Sequence, residues 1–307
     1  MRSWLRQPIW LVVGAIVFVQ LGGVWGKWLF GLADPATVAW LRMLFALPVL
    51  MLVARPRLRG RRWVEWQAVL AYGTALGVMN FSIYQALARI PVGMAVTIEF
   101  LGPLTVAFLG VRRPRDGLWV VLAGTGVAVL SWSGLVLDWA GIGFAFLAAA
   151  CWAAYILLAV PTGRHWDGVS GVAVGSLIGP ALFAAPGVLA DPAALLDWRV
   201  LGGAFMVAVC SSVLPYAFEM TALRRIDSAP FAILMSLEPA VAAGLALAIL
   251  GEVLTPLELA AMACVITASV GATLTMGRPN PEATRPSAGE EGALDGGDES
   301  AQAGGQV

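Results

Sequence analysis

The sequence predicts an all-α membrane protein of ten transmembrane helices, arranged as two inverted five-helix repeats. Three observations carry that fold class. Apolar runs of roughly 20 residues, long enough to cross a bilayer as a helix, recur along the chain. Basic residues gather in every second gap between those runs. A short motif returns at an offset of 136 residues.

Composition fixes the setting. The chain has 307 residues, is 59% hydrophobic and only 12% charged, with a mean hydropathy of +0.82. A soluble domain carries about 25% charged residues. Nineteen basic and 19 acidic residues cancel, which says little about partners because distribution matters more than the sum. For a polytopic membrane protein no nucleic-acid partner is expected.

The first span, residues 9–30, follows Arg2 and Arg6 and runs on into KWLF without an A-x-A-like cleavage site. It therefore reads as a retained helix rather than a signal peptide. Further spans fall at 35–53, 65–88, 92–111, 117–135, 140–160, 169–189, 200–223, 229–250 and 255–276. A division into nine or eleven spans stays open. Arg55, Arg57, Arg59, Arg61 and Arg62 fill the second gap; Arg112, Arg113 and Arg115 the fourth; Arg164 the sixth; Arg224 and Arg225 the eighth. With Arg2, Arg6, Arg278 and Arg285 at the ends, fifteen of the 19 basic residues lie on one side, against Arg89 and Arg199 on the other. The positive-inside rule then places both termini in the cytoplasm. Lys27 and Arg42 fall within spans.

Trp63, Trp66, Trp119, Trp139, Trp166 and Trp198 lie near span ends, as interface anchors do. Tyr72, Tyr84, Tyr155 and Tyr216 fall inside spans and are expected to face the protein interior, where a phenol finds a partner. Cys151, Cys210 and Cys264 lie within spans and imply no disulfide framework. His165 reads as a loop residue without a second ligand, so no metal site is expected, and no cofactor. Residues 277–307, rich in Gly, Pro, Ala, Glu and Asp, read as a disordered cytosolic tail.

The repeat sets the architecture. Ala86, Leu87, Arg89 and Ile90 match Ala222, Leu223, Arg225 and Ile226; Leu101, Pro103 and Ala107 match Leu237, Pro239 and Ala243. The halves become 1–135 and 136–276, with five spans each, and an odd number turns the second half upside down in the membrane. Inverted repeats belong to alternating-access transporters, whose substrate site lies near mid-membrane.

Charges inside the spans are the candidate site. Glu99 lies in IEFLGP and Glu238 in SLEP, each close to a proline, Pro103 or Pro239, that interrupts the helix ladder. Glu219 follows Pro215 in the eighth span, and Arg42 lies inside the second. A charge at a helix centre costs about 2.5–3.5 kcal/mol on insertion scales, so each needs a reason. One reason is structural, a pin to a neighbouring helix. The other is a site for a zwitterion, its ammonium toward a glutamate and its carboxylate toward Arg42 or a helix N-terminal end. Asn80, Tyr84, Tyr155 and Tyr216 would add hydrogen bonds, or serve in ordinary helix packing. Lys27 lies near a span end and is placed to snorkel. Gly22-x-x-x-Gly26 and Gly73-x-x-x-Gly77 permit close helix approach.

The stretches IEFLGPLTVAFLG, RRPRDGLWVVLA, ACWAAYILL, AVGSLI, LPYAFEMTALRRI, LMSLEPAVAA, GEVLTPLEL and ASVGATLT occur in this order along the chain. Together they resemble the EamA branch of the drug/metabolite transporter superfamily, and within it the inner-membrane threonine/homoserine exporters of the RhtA type. The resemblance runs over roughly residues 10–276. It implies ten helices in two inverted repeats, a central cavity, a bacterial inner-membrane location, and efflux of small metabolites driven by protons. Arg42, Glu99 and Glu238 fall where the resemblance expects charged residues. Two other classes stay open beside it: the same fold exporting drugs, purines or sugars, and a membrane enzyme acting on lipid-linked substrates. The latter lacks a His/Cys cluster or phosphate loop in the sequence. Oligomeric state is left open.

Overall fold

The computed structural model describes residues 8–109, 117–131, 138–166, 169–223 and 228–276. Among them every regular element is helical. The expected tail at 277–307 and the arginines of the fourth and eighth gaps lie outside the described residues.

Three long helices open the chain: α1 (Pro8–Leu29), α2 (Pro35–Ala54) and α3 (Trp63–Leu87). A broken pair follows, α4 (Val92–Glu99) and α5 (Leu101–Leu109), then α6 (Gly117–Ser131) and the 27-residue α7 (Trp139–His165). The next stretch is fragmented into α8 (Ser170–Gly175), α9 (Ile178–Leu182) and α10 (Ala184–Leu189). After a 3₁₀ turn come α11 (Trp198–Ala208), a π-helical turn (Val209–Val213) and α12 (Leu214–Leu223). A second broken pair, α13 (Ser228–Met235) and α14 (Glu238–Leu250), leads to α15 (Pro256–Met276). Among the described residues, six helical stretches are long and apolar enough to cross a membrane, two of them the pairs containing the breaks. Shorter apolar helices lie at 117–126, 170–182 and 198–213. His165 is the last residue of α7, not part of a loop, because the helix runs five residues past its expected end at 160.

The caps follow a rule of sidedness. Five helices begin at the end of the bundle away from the arginine clusters: α2, α4, α7, α11 and α15. Each has a carboxylate at its first turn, where unpaired N–H groups and the helix dipole favour negative charge. Asp34 accepts from the Ala36 amide of α2 at 2.8 Å. Asp138 accepts from Ala140 and Gly141 of α7 at 2.9 and 3.0 Å. Asp197 accepts from Arg199 of α11 at 2.8 Å. Thr255 and Glu258 form a capping box on α15, with the Thr255 amide 2.7 Å from Glu258 Oε2. Helix α4 has Pro91 at its N-cap and no carboxylate of its own. Its cap is Glu252, 160 residues away, whose Oε2 accepts from the Val92 amide at 2.8 Å.

Both breaks follow from proline. The carbonyl that Pro103 cannot serve is that of Glu99, and for Pro239 it is that of Met235, by the i→i−4 rule. Helix α4 ends at Glu99 and α13 at Met235, positions 136 apart, and the two half-helices start 136 apart at Val92 and Ser228. Each proline thus lies in the first turn of the second half-helix, where its missing N–H costs nothing.

The main core packs α3 closely against α7, and brings α1, α2, α4 and α11 together around Val24, Leu29, Val38, Leu87, Val92 and Ile98. Close approach is set by small residues. A Cβ on Gly77 would come within 2.7 Å of the Gly179 Cα of α9, so these two backbones touch with no side chain between them. Gly73 meets Gly175 one turn away in the same manner. Trp166 is not an interface anchor. It is fully buried, donates to the Glu65 carbonyl at 3.0 Å, stacks edge-on against Trp66 and carries the Arg61 guanidinium over its ring at 4.5 Å. Trp63, Trp139 and Trp198 do stand exposed at helix ends.

Candidate functional site

A cavity of about 530 Å³ lies between the helices. Arg42, Asn80, Tyr84, Glu99, Pro103, Tyr155, Pro215, Glu219 and Glu238 all line it. Pro239 is buried but does not line it, and the side chain of Tyr216 lies outside the described residues.

Arg42 sits on α2, in the middle of an apolar helix, and is held from two sides. Its Nε donates to Ser211 Oγ and its Nη1 to Asn80 Oδ1, each at 2.7 Å. The Tyr84 ring lies 5.2 Å from the guanidinium carbon. The supports are themselves fixed: Ser211 Oγ donates to the Val207 carbonyl at 2.6 Å, and Asn80 Nδ2 to the Leu76 carbonyl at 2.8 Å. Among the described residues Arg42 makes no ion pair. It is a cation positioned by neutral groups.

The glycines of α1 make this arrangement possible. A Cβ on Gly22 would approach the Ser211 Cβ to 2.7 Å, and one on Gly26 would approach the Tyr84 ring to 2.8 Å. The Gly22-x-x-x-Gly26 spacing therefore seats the two residues that flank Arg42. Ser211 and Ser212, absent from the sequence expectation, belong to the π-helical turn Val209–Val213 and line the cavity. Their signal was Pro215, four residues after Ser211, which leaves the Ser211 carbonyl without its α-helical partner. Single π turns of this kind concentrate at functional sites.

The carboxyls line the same cavity from other elements. Glu99 ends α4, Glu219 lies on α12, and Glu238 begins α14. Glu99 is within electrostatic reach of Arg42, and Glu238 of both Glu99 and Glu219. Beside Glu238, Ser236 Oγ and Ser269 Oγ lie 2.8 Å apart and tie the α13–α14 break to α15. Tyr155 stacks on Tyr72 at 4.8 Å between ring centres. Lys27 does not belong to this set. Its Nζ lies 2.7 Å from Glu252 Oε1 and donates to the Ile90 carbonyl at 2.8 Å, so it is paired rather than snorkelling. Among the described residues the cavity thus has one cation and three carboxyls. Among the described residues no three His, Cys, Asp or Glu side chains are grouped to hold a metal ion.

Among the described residues, an all-helical, multi-pass bundle around a cavity that holds charged side chains, with breaks in two of its helices, has the architecture of a membrane transporter. The comparisons with known proteins specify it further. The EamA-like transporter family model matches residues 6–133 and again 139–274. The chain belongs to that family and is a transporter, not an enzyme. It is 40% identical over 283 residues to the threonine/homoserine exporter RhtA of Escherichia coli strain K12, covering 89% of this chain and 95% of that protein. It is likewise 40% identical over 285 residues to the threonine/homoserine exporter RhtA of Salmonella typhimurium strain LT2, covering 90% and 96%. A solved crystal structure of a protein superposes with a TM-score of 0.55 at 17% identity, covering 86% of this chain and 97% of the other, and so shares its fold.

Proposed function

We propose that this protein exports small zwitterionic amino acids of the threonine and homoserine kind, in exchange for protons, by alternating access. Ten membrane-crossing helices in two inverted halves, 1–135 and 136–276, would form the moving parts, with the arginine-rich end in the cytoplasm. The matched half-helices Val92–Glu99 and Ser228–Met235 support the division. The relatives' names supply the substrate class.

The single observation that carries the reading is Arg42: a guanidinium inside an apolar bundle, fixed by Ser211 and Asn80 and making no ion pair among the described residues. The α-carboxylate of an amino acid suits that oriented guanidinium, since the two groups match in planar geometry. The ammonium then faces Glu99, Glu219 and Glu238 across the cavity. Three ionised carboxyls against one guanidinium leave an excess of two negative charges. A zwitterion carries no net charge and leaves that excess unchanged, so protons on the carboxyls must balance it; the substrate's ammonium and those protons compete for the same carboxyls, which gives the site a reason to exchange one for the other. A volume of about 530 Å³ leaves room for a small amino acid and several waters of ~30 Å³ each.

Counterflow in proteoliposomes with a panel of amino acids, sugars and nucleosides tests the substrate class. Exchange of threonine or homoserine above all others is expected. Exchange of a nucleoside or sugar with no amino-acid signal would sink the reading.

A further inference from the structure

The cavity's lining extends between two very different ends. On one side it reaches Leu50, Ala107, Phe231 and Thr273, each within a turn of a helix end on the arginine-rich side. On the other it stops at Leu87 and Val92. Directly over these two residues lies a junction between distant parts of the chain. Lys27, at the end of α1, pairs with Glu252, after α14; the same Glu252 caps α4 through the Val92 amide; and Lys27 also holds the Ile90 carbonyl between α3 and α4. Val24, about one turn before Lys27 along α1, and Val92 are fully buried.

We propose that the Lys27–Glu252 pair is the releasable closure of the cavity at its arginine-poor end, and that what it holds shut is the half-helix carrying Glu99. This rests on the alternating-access reading above. Two features separate the junction from ordinary bracing. The other four helices starting at this end are capped from within their own first turn or the residue before it. Only α4 among the five borrows its cap from the other half of the chain, so only its cap can be withdrawn by a movement between the halves. In addition, α4 is eight residues long, with Val92 at one end and Glu99 at the other. A helix that short moves as a rod, so freeing the Val92 end shifts the carboxyl of Glu99 in the cavity. The gate and the site are two ends of one lever. Gly93 keeps the lever close to its seat: a Cβ there would meet the Ala243 Cβ of α14 at 2.8 Å.

A cysteine in place of Val24, three residues before Lys27 and fully buried, reports the opening. Intact cells carrying it are treated with a membrane-impermeant maleimide, and the same protein without the added cysteine supplies the blank for Cys151, Cys210 and Cys264. Glu252→Ala, which removes both the ion pair and the cap, is expected to raise the labelling rate about five-fold, as loss of one partly buried pair shifts an opening equilibrium. Glu252→Gln keeps an acceptor for the Val92 amide and should raise it less. Adding Lys27→Met to Glu252→Ala should add less than Lys27→Met does alone, the remainder being the Lys27 bond to the Ile90 carbonyl. Unchanged labelling in every variant, or independent additive effects, would make the junction a static brace. A second arm replaces the ion pair by a covalent bridge. Lys27→Cys with Glu252→Cys, bridged by a short bifunctional thiosulfonate, should stop export, and reductant should restore it. Export that continues while bridged overturns the proposal. Labelling that responds as expected while no amino acid in the panel is carried would keep the closure and overturn the substrate reading.

Discussion

Replacing Arg42 by lysine keeps the charge and removes the geometry. In the parent, Nε and Nη1 are each committed at 2.7 Å, to Ser211 and to Asn80, which fixes the plane of the guanidinium within the cavity. A substrate carboxylate meets a donor edge already oriented. Lysine has a single nitrogen, which cannot serve Ser211, Asn80 and a carboxylate in one plane. A hydrogen bond to a charged group contributes about 1.5–3 kcal/mol, so losing one such bond to substrate raises the half-saturation concentration by about 10- to 150-fold. Ser211→Ala leaves the charge and one support; it should cost ~1 kcal/mol, about five-fold. The assay is the concentration dependence of threonine counterflow in proteoliposomes, with size-exclusion profiles of the solubilised variants as the check on folding. Lysine at position 42 with half-saturation within two-fold of the parent would refute the carboxylate-seat argument, and so would a Ser211→Ala loss larger than that of the lysine.

Four further outcomes follow from the same structure. Glu99→Gln retains shape but cannot carry a proton, so uptake into inside-out vesicles driven by a pH gradient should vanish while solubilised yield holds; a proton moving down 100 mV supplies about 2.3 kcal/mol, enough for roughly a 50-fold substrate gradient. Normal gradient-driven uptake would move the coupling to Glu219 or Glu238. Gly77→Ala forces apart backbones that already touch and should lower stability by about 1–3 kcal/mol, read as a fall in the thermal midpoint of the detergent-solubilised protein. Trp166→Ala removes a fully buried ring with its bond to Glu65 and its Arg61 contact and should cost about 3–5 kcal/mol by the same measurement, with little change in half-saturation if protein survives. Single cysteines at 55–62 should label from the cytoplasm and those at 190–198 from outside; the reverse pattern would invert the proposed orientation.

Much of the scaffold was legible because its signals are local and additive. Apolar length locates helices, and the matched prolines Pro103 and Pro239 mark the interruptions whose positions the structure gives, after Glu99 and after Met235. The cavity carboxyls were legible because a charge in an apolar span has few explanations. What escaped depends on the approach of distant segments. Nothing near Lys27 announces Glu252, so an ion pair between α1 and the residues after α14 read as a lysine free to snorkel. Nothing near Trp166 announces Trp66 and Arg61, so its burial was read as an interface position. Ser211 looked like any polar residue in a helix until Arg42, 169 positions away, was found bonded to it. The fragmentation of 169–189 into α8, α9 and α10 was also missed, although Gly175 and Gly179, with Pro180 and Pro186, are weak helix formers in sequence.

The contact between Gly77 and Gly179 also limits how this protein can change over generations. In a packed core a larger residue on one side is ordinarily rescued by a smaller one on the other. Here the partners meet through backbone, and neither has a side chain left to give up. A substitution at either glycine has no second-site remedy at its partner, and the neighbouring Gly73–Gly175 contact doubles the restriction. Change in what the protein carries is left to lining positions that do have a side chain to vary, such as Leu76, Met79 and Ser212.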